Sequence, residues 1–313
     1  MTLAPPLYRG EAGVLLVAVS LVWAISAFLV EYALTAVPPA TISLVRLGLA
    51  ALVLGALCGR DVFRPLGSKT PWNWRYGAVA LFGQALPFVL IAWAQIHVAP
   101  ATASVLVATT PIFATALAWG YGDIRGNVGV WFGIVLGLGG LVGFFGTEVL
   151  AVADGVWPRY VALILSAILF ASAGRLVGRL PHPSALVRGA IVTRYSAAIL
   201  LAGSFLIDRL WELPAPPAGV IVALIFAGVI SSAFAYAAYY RLIAVGGLPL
   251  ATTHHYITPV CAVLIQIGLT SRLPTIEQFA FMTAIVVGVA LVSTWTLRPN
   301  IHRRAIPSPQ QTR

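Results

Sequence analysis

Apolar stretches of about twenty residues, the length a helix needs to cross a hydrocarbon core of about 30 Å, follow one another along nearly the whole chain. Ten can be marked: 13–34, 40–58, 76–96, 100–121, 127–146, 159–178, 188–207, 218–243, 248–269 and 279–297. None alternates apolar and polar residues with period two, which excludes a closed barrel and leaves helices. With 60% hydrophobic and 9% charged residues in 313, too few polar side chains remain to solvate a globule. Arg9 precedes a first run, Gly13 to Leu34, that is too long for a signal-peptide core and has no small-residue cleavage site, so it is expected to remain as the first span. The longest connections, Gly59 to Arg75 and Asp208 to Pro217, leave no room for a soluble domain. The class is an all-α, multi-pass protein of the cell membrane.

Charge orients these spans. The formal charge of +10 would suggest nucleic acid in a soluble chain, but no basic stretch is interleaved with aromatics on a soluble surface. Fourteen basic residues fall on the N-terminal side of the membrane: Arg9, Arg60, Arg64, Lys69, Arg75, Arg125, Arg175, Arg179, Arg188, Arg241, Arg298, Arg303, Arg304 and Arg313. The opposite side holds three, Arg159, Arg209 and Arg272. The positive-inside rule then predicts cytoplasmic termini. Trp72, Trp74, Trp119, Trp157, Trp211 and Trp295 lie near span ends, where amphipathic rings favour the interface, whereas Trp23 lies near mid-span.

A gapless shift of 148 residues pairs Arg46 with Arg194, Gly55 with Gly203, Thr110 with Thr258, Pro111 with Pro259, Gly120 with Gly268 and Gly140 with Gly288. Five spans per copy is an odd number, so the second copy enters the membrane from the other side. The expected architecture is a 5+5 inverted-topology repeat, in which transporter sites form near the midplane between the halves. It divides the chain into a cytoplasmic N-terminus (1–12), a first repeat (13–146), a second repeat (159–297) and a basic cytoplasmic tail (298–313).

With that arrangement the chain resembles the drug/metabolite transporter superfamily, in its ten-span EamA type. The residues that carry the resemblance are LVWAISAF around Trp23, SLVRLGLAALVL around Arg46, APATASVLVATTPIFATALAWGYGDI in span 4, its counterpart GGLPLATTHHYITPVCAVLIQIGLTSRLPTIEQ, and GVALV in the last span. The likeness implies carriage of a small metabolite by alternating access, often export of amino acids or related compounds. The family commonly has a glutamate where spans 4 and 9 end; Asp123 keeps that carboxylate and Ser271 loses it.

A polar group at membrane depth is costly unless it has a partner or a function. Arg46 and Arg194 lie about six residues, hence about 9 Å, inside their spans. Each could anchor a substrate carboxylate or a gate, or bond structurally to helix carbonyls. In span 3, Gln84, Phe88, Ile91 and Gln95 share one helix face, and their register mates in span 8 are Ser232, Tyr236, Tyr239 and Ile243. These stripes line a cavity or bond helix to helix. Trp23 stacks on a ligand or fills space. Pro87, Pro111 and Pro259 fall mid-span and free a backbone carbonyl.

His254 and His255 lie in an otherwise apolar run, about 100° apart on a helix. With Ala251 at zero, Thr258 falls near −20°, His255 near +40°, Gln266 near +60° and His254 near −60°. If the face shared with span 4 is the inner one, His255, Thr258 and Gln266 are ligand contacts and His254 bonds a neighbouring helix. Their mates Leu106 and Val107 are apolar, so the pair is specific to the second half.

All nine carboxylates lie in loops or near span ends, including Glu31 at the outer end of span 1. Without an acid at the midplane, neutral, zwitterionic or anionic solutes suit the chain better than organic cations, although multidrug-cation export is an alternative. A membrane structural or lipid-handling role on the same fold is another, and an intramembrane enzyme has no catalytic motif to support it. Cys58 and Cys261 fall within spans as packing residues, and no metal or cofactor motif is present. The implied partners are a small-molecule solute and the bilayer; a monomer would suffice.

Overall fold

The computed structural model describes residues 6–63, 74–122, 128–151, 155–177, 180, 184–271 and 273–296. Arg64, Lys69, Trp72, Asp123, Arg125, Arg179, Arg272 and the tail 298–313 lie outside them, as do the side chains of Arg9, Glu148 and Trp295. Every regular element among the described residues is helical. Seven helices are long and apolar enough to cross a membrane: α1 (Gly10–Ala33), α2 (Pro39–Val62), α3 (Trp74–Gln95), α4 (Pro100–Gly120), α6 (Trp157–Val177), α7 (Ala185–Ile207) and α8 (Ala218–Ile243). Three more complete the order: α5 (Val128–Ala151), α9 (His254–Thr270) and α10 (Ile276–Thr296).

Polarity is distributed as in a membrane-embedded bundle. Leu52, Val142 and Leu206 point outward with 71% or more of their surface exposed, while Ser20, Thr193, Ser196, Ser204 and Ser231 are fully buried. Water would penalise the first set, and hydrocarbon would penalise the second unless each hydroxyl found a partner. Many buried hydroxyls do so within one turn: that of Ser20 donates to the Leu16 carbonyl at 2.8 Å and that of Ser166 to the Ala162 carbonyl at 2.8 Å.

Four helices depart from regular geometry, and two of them do so in register. The backbone widens to a π-helix over Leu81–Ala85 in α3 and over Phe226–Phe234 in α8. Shifted by 148, the first segment falls inside the second. Helix α4 breaks at Ala108 and Thr109, just before Pro111, whose ring cannot donate a backbone bond. The hydroxyls of Thr109 and Thr110 donate back to the carbonyls of Leu106 and Val107 at 2.6 and 2.7 Å, satisfying acceptors near the break.

The corresponding interruption in the second half lies later than the local sequence pattern suggests. Gly246 and Gly247 fall in the connection between spans 8 and 9 and Pro249 at the start of span 9, yet the backbone stays helical to Thr252. It turns at Thr253, where the Tyr256 N–H reaches the Thr253 carbonyl at 3.1 Å, and α9 begins at His254. Local Gly and Pro signals are weak inside a bundle, where neighbouring helices stabilise a backbone that is marginal alone.

The principal helix contacts are α1 with α8 and α9, α2 with α7 and α8, α3 with α6 and α7, α4 with α6, and α5 with α10. Exchanging the halves turns α1–α9 into α6–α4, α1–α8 into α6–α3, and α2–α8 into α7–α3, while α2–α7 and α5–α10 map onto themselves. The bundle is thus built from two equivalent sets of five helices.

Glycines set the α5–α10 seam. A Cβ on Gly288 would lie 2.6 Å from Gly137 Cα and 2.7 Å from the Gly133 carbonyl oxygen, and one on Gly140 would lie 2.9 Å from the Phe281 carbonyl oxygen. Only hydrogens at these positions let two helices with little polar surface come close enough for dense backbone packing.

Candidate functional site

Several of the polar residues within the spans converge on a cavity of about 430 Å³ between the two sets of helices. Gln84, Phe88, Ile91 and Gln95 all line it, so the face read along span 3 is an inner face. On α8 only part of the corresponding stripe does. Tyr236 lines the cavity and the wall continues at Tyr240, four residues on. Tyr239 instead packs in a cluster with Leu16, Leu242 and Ala251, its ring 5.5 Å from that of Trp23. Ser232 supports the wall by accepting a hydrogen bond from Arg46.

Gln84 also ties helices together. It is 7% exposed; its amide nitrogen donates to Thr193 Oγ1 at 3.2 Å, and its carbonyl accepts from Ser196 Oγ at 2.9 Å. Its two proposed roles, cavity lining and interhelical bonding, therefore coincide.

The two register-mated arginines are placed differently. Arg46 lines the cavity, 9% exposed; its Nε donates to Ser232 Oγ at 2.8 Å, and its guanidinium carbon lies 4.5 Å from the Phe88 ring centroid. The cation is thus oriented by one hydrogen bond and one aromatic face. Arg194 is outside the cavity, half-buried, with its guanidinium carbon 5.9 Å from the Tyr195 ring centroid. A shared register did not give a shared role.

Trp23 forms part of the wall and is fixed by its own contacts. Its Nε1 donates to the Ser231 carbonyl at 3.1 Å, an acceptor inside the π-helical stretch of α8. Its ring lies 4.6 Å from His254 and 6.1 Å from Tyr236, both edge-on.

Both histidines line the cavity. His254 packs its ring among Trp23, Tyr239 and His255, with centroids 4.6, 5.5 and 4.0 Å away, rather than hydrogen-bonding a neighbouring helix. Its Nδ1 is buried without a hydrogen-bond partner. Helical spacing sets the two on opposite flanks; because α9 begins at His254, against Trp23, both flanks face the same space.

Thr258 and Pro259 line the cavity as well, and the Thr258 hydroxyl is buried without a partner. Gln266 lies outside the wall, with its amide oxygen buried and unpartnered, and Pro111 lies outside it at the α4 break.

Several lining residues escaped the sequence reading. Arg188 and Tyr240 belong to the wall, although charge counting treats Arg188 as a cytoplasmic loop residue. Phe170 meets Phe88 edge-on at 6.0 Å, and Ser26 presents a buried hydroxyl without a partner. Ser26 lies three residues after Trp23, on the same face of α1, a spacing that could have flagged it. No Asp or Glu lines the cavity among the described residues, and no group of His, Cys, Asp or Glu there could hold a metal ion.

An apolar helical bundle, doubled in register and enclosing a polar-lined cavity at membrane depth, defines a membrane transporter. Residues 11–146 and 157–294 each match the EamA-like transporter family, and the chain belongs to that family. It is 26% identical over 284 residues to the Escherichia coli K12 protein named uncharacterized inner membrane transporter YedA, a match covering 89% of each chain. It is 25% identical over 275 residues, 82% of this chain and 85% of the other, to a Streptantibioticus cattleyicolor protein named "Probable terminal-alkyne amino-acid exporter". A solved crystal structure superposes with a TM-score of 0.61 at 20% identity, covering 93% of this chain and 99% of that one, and shares its fold.

Proposed function

We propose that this chain is a ten-span carrier of the cell's inner membrane, with inverted repeats and cytoplasmic termini, that exports amino acids or related small solutes by alternating access. The observation that carries this reading is the cavity between the two sets of helices, with Gln84, Arg46, Tyr236 and His255 on its wall. A cavity of that size, mainly apolar but with buried polar groups on its wall, suits a small solute and is costly to maintain for packing alone. The exchange symmetry of the helix contacts supports alternation, since a rocking carrier needs two equivalent halves. The name of the Streptantibioticus relative supports amino-acid export. Among the described residues no carboxylate lines the cavity, which disfavours organic cations, and none forms a catalytic constellation that would support an enzyme.

Efflux of radiolabelled amino acids from liposomes containing the full chain tests the reading. Time-dependent efflux is expected, reduced at least tenfold by Gln84→Ala or Tyr236→Ala in protein that still elutes as a folded species. Folded protein that moves no amino acid or related metabolite would remove the substrate claim. Binding and transport unaffected by both substitutions would favour a structural or lipid-handling role.

A further inference from the structure

The same wall carries information about which part of a solute it recognises. Arg46 is buried, and its Nε and ring contacts fix the plane of the guanidinium. No acidic side chain pairs with it among the described residues. A guanidinium held this way presents its two Nη groups as a planar fork, the geometry that matches both oxygens of a carboxylate. The second charged group on the wall, Arg188, is also cationic.

The remainder of the wall is aromatic or neutral. Trp23, Phe88 and Tyr236 surround the Arg46 region, and Ser26, Gln95 and Thr258 offer uncharged polar atoms that lack a protein partner in the Ser26 hydroxyl, the Gln95 carbonyl oxygen and the Thr258 hydroxyl. The two hydroxyls can bond a hydroxyl, keto or amide group, the Gln95 carbonyl oxygen can accept from a hydroxyl or an amide N–H, and none brings a charge to offset an ammonium. An ammonium about 8 Å from a guanidinium, at an effective dielectric of about 20, loses more than tenfold in affinity to repulsion.

We propose that the cavity selects organic monocarboxylates with an apolar or aromatic body, through Arg46, and does not require the α-ammonium of an amino acid. This rests on the carrier reading above and narrows it: aryl, keto and hydroxy carboxylates are substrates alongside, or ahead of, the zwitterions.

A matched set separates the two charges: 3-phenylpropionate, phenylalanine and phenethylamine share a phenyl ring and a two-carbon linker. Binding to the purified full chain in detergent is read by calorimetry and by thermal stabilisation. 3-Phenylpropionate is expected to bind at least as tightly as phenylalanine, and phenethylamine at least tenfold more weakly than either. Arg46→Gln is expected to weaken 3-phenylpropionate at least tenfold and leave phenethylamine unchanged or improved. Arg46→Lys, which keeps the charge but loses the fork, falls between.

If Arg46→Gln does not fold, Arg46→Lys and Ser232→Ala, which frees the Arg46 Nε, supply the same comparison, each weakening the anion about threefold or more. Binding of phenylalanine without 3-phenylpropionate, preference for the amine, indifference of the anion to all Arg46 and Ser232 variants, or no binding by any of the three would each overturn the proposal. Liposome efflux keeps the two readings apart: export of some other solute with no binding of these three removes the anion selectivity alone, whereas no efflux of any solute removes the carrier reading itself.

Discussion

Trp23 shows how one side chain can serve as both wall and strut. Its indole N–H is committed to the Ser231 carbonyl and its ring to His254 and Tyr236, so the face it turns to the cavity is held in one orientation. Trp23→Phe keeps an aromatic face but leaves that buried carbonyl without its donor, at a cost of about 1 kcal/mol. A lower unfolding temperature in detergent, together with weaker solute binding, is the expected result. Unchanged stability would mean that the indole hydrogen bond contributes nothing net. From the sequence, Trp23 was conspicuous only as a tryptophan far from either interface. Its partner could not be read because a π-helical carbonyl has no residue signature.

At the scale of elements, the α5–α10 seam makes the sharpest claim. A Cβ on Gly288 would fall 2.5 Å from the Gly137 backbone nitrogen, where no rotamer change can relieve it. Gly288→Val must push the helices apart, and overpacking of this kind costs about 1–3 kcal/mol or more. Gly139, whose added Cβ meets nothing within 4 Å, is the control. Thermal denaturation should separate Gly288→Val from Gly139→Ala clearly, the second staying close to the parent. The Gly140–Gly288 pair was visible in the sequence register, but its reason was not, since a glycine in a span can mark a kink, a seam or nothing.

The two ends of the whole molecule differ in how they are closed. Helix α2 begins at Pro38–Pro39, which supplies no capping side chain, and its exposed N–H at Thr41 is met by Asp208 Oδ2 at 2.7 Å from the far end of α7. The Thr41 hydroxyl donates to the same oxygen at 2.8 Å and shares a hydrogen bond with Ser204 Oγ at 2.6 Å. The register mates of Thr41, Ser204 and Asp208 are Gly189, Ala56 and Arg60, which cannot form such a clasp, and the cavity wall extends to Gly189 and Leu180 at that end.

Asp208→Ala is therefore expected to loosen the clasped end. In a chain whose Cys58 and Cys261 are replaced, maleimide labelling of Ser26→Cys by an impermeant reagent from the clasped side should rise severalfold. Stability should also fall by about 1–3 kcal/mol, the scale of a hydrogen bond to a charged group. Lower stability with unchanged labelling would reduce the clasp to a helix cap.

The sequence by itself determined the class: apolar runs of spanning length, a helical unit repeated in register, and a stripe on span 3 whose four members all face the cavity. These follow from local rules, because hydrocarbon forces each span to satisfy its own backbone and a helix fixes which residues share a face. Tertiary structure alone decided that Arg46 enters the cavity and Arg194 does not, that Tyr240 replaces Tyr239 on the wall, that both histidines line it, and that Asp208 caps a helix 167 residues away. The tyrosine and histidine placements turn on where a π-helical widening or a break rotates the following turns, and the Arg46 and Asp208 ones on which helix lies opposite; all are set by packing between elements rather than by spacing within one.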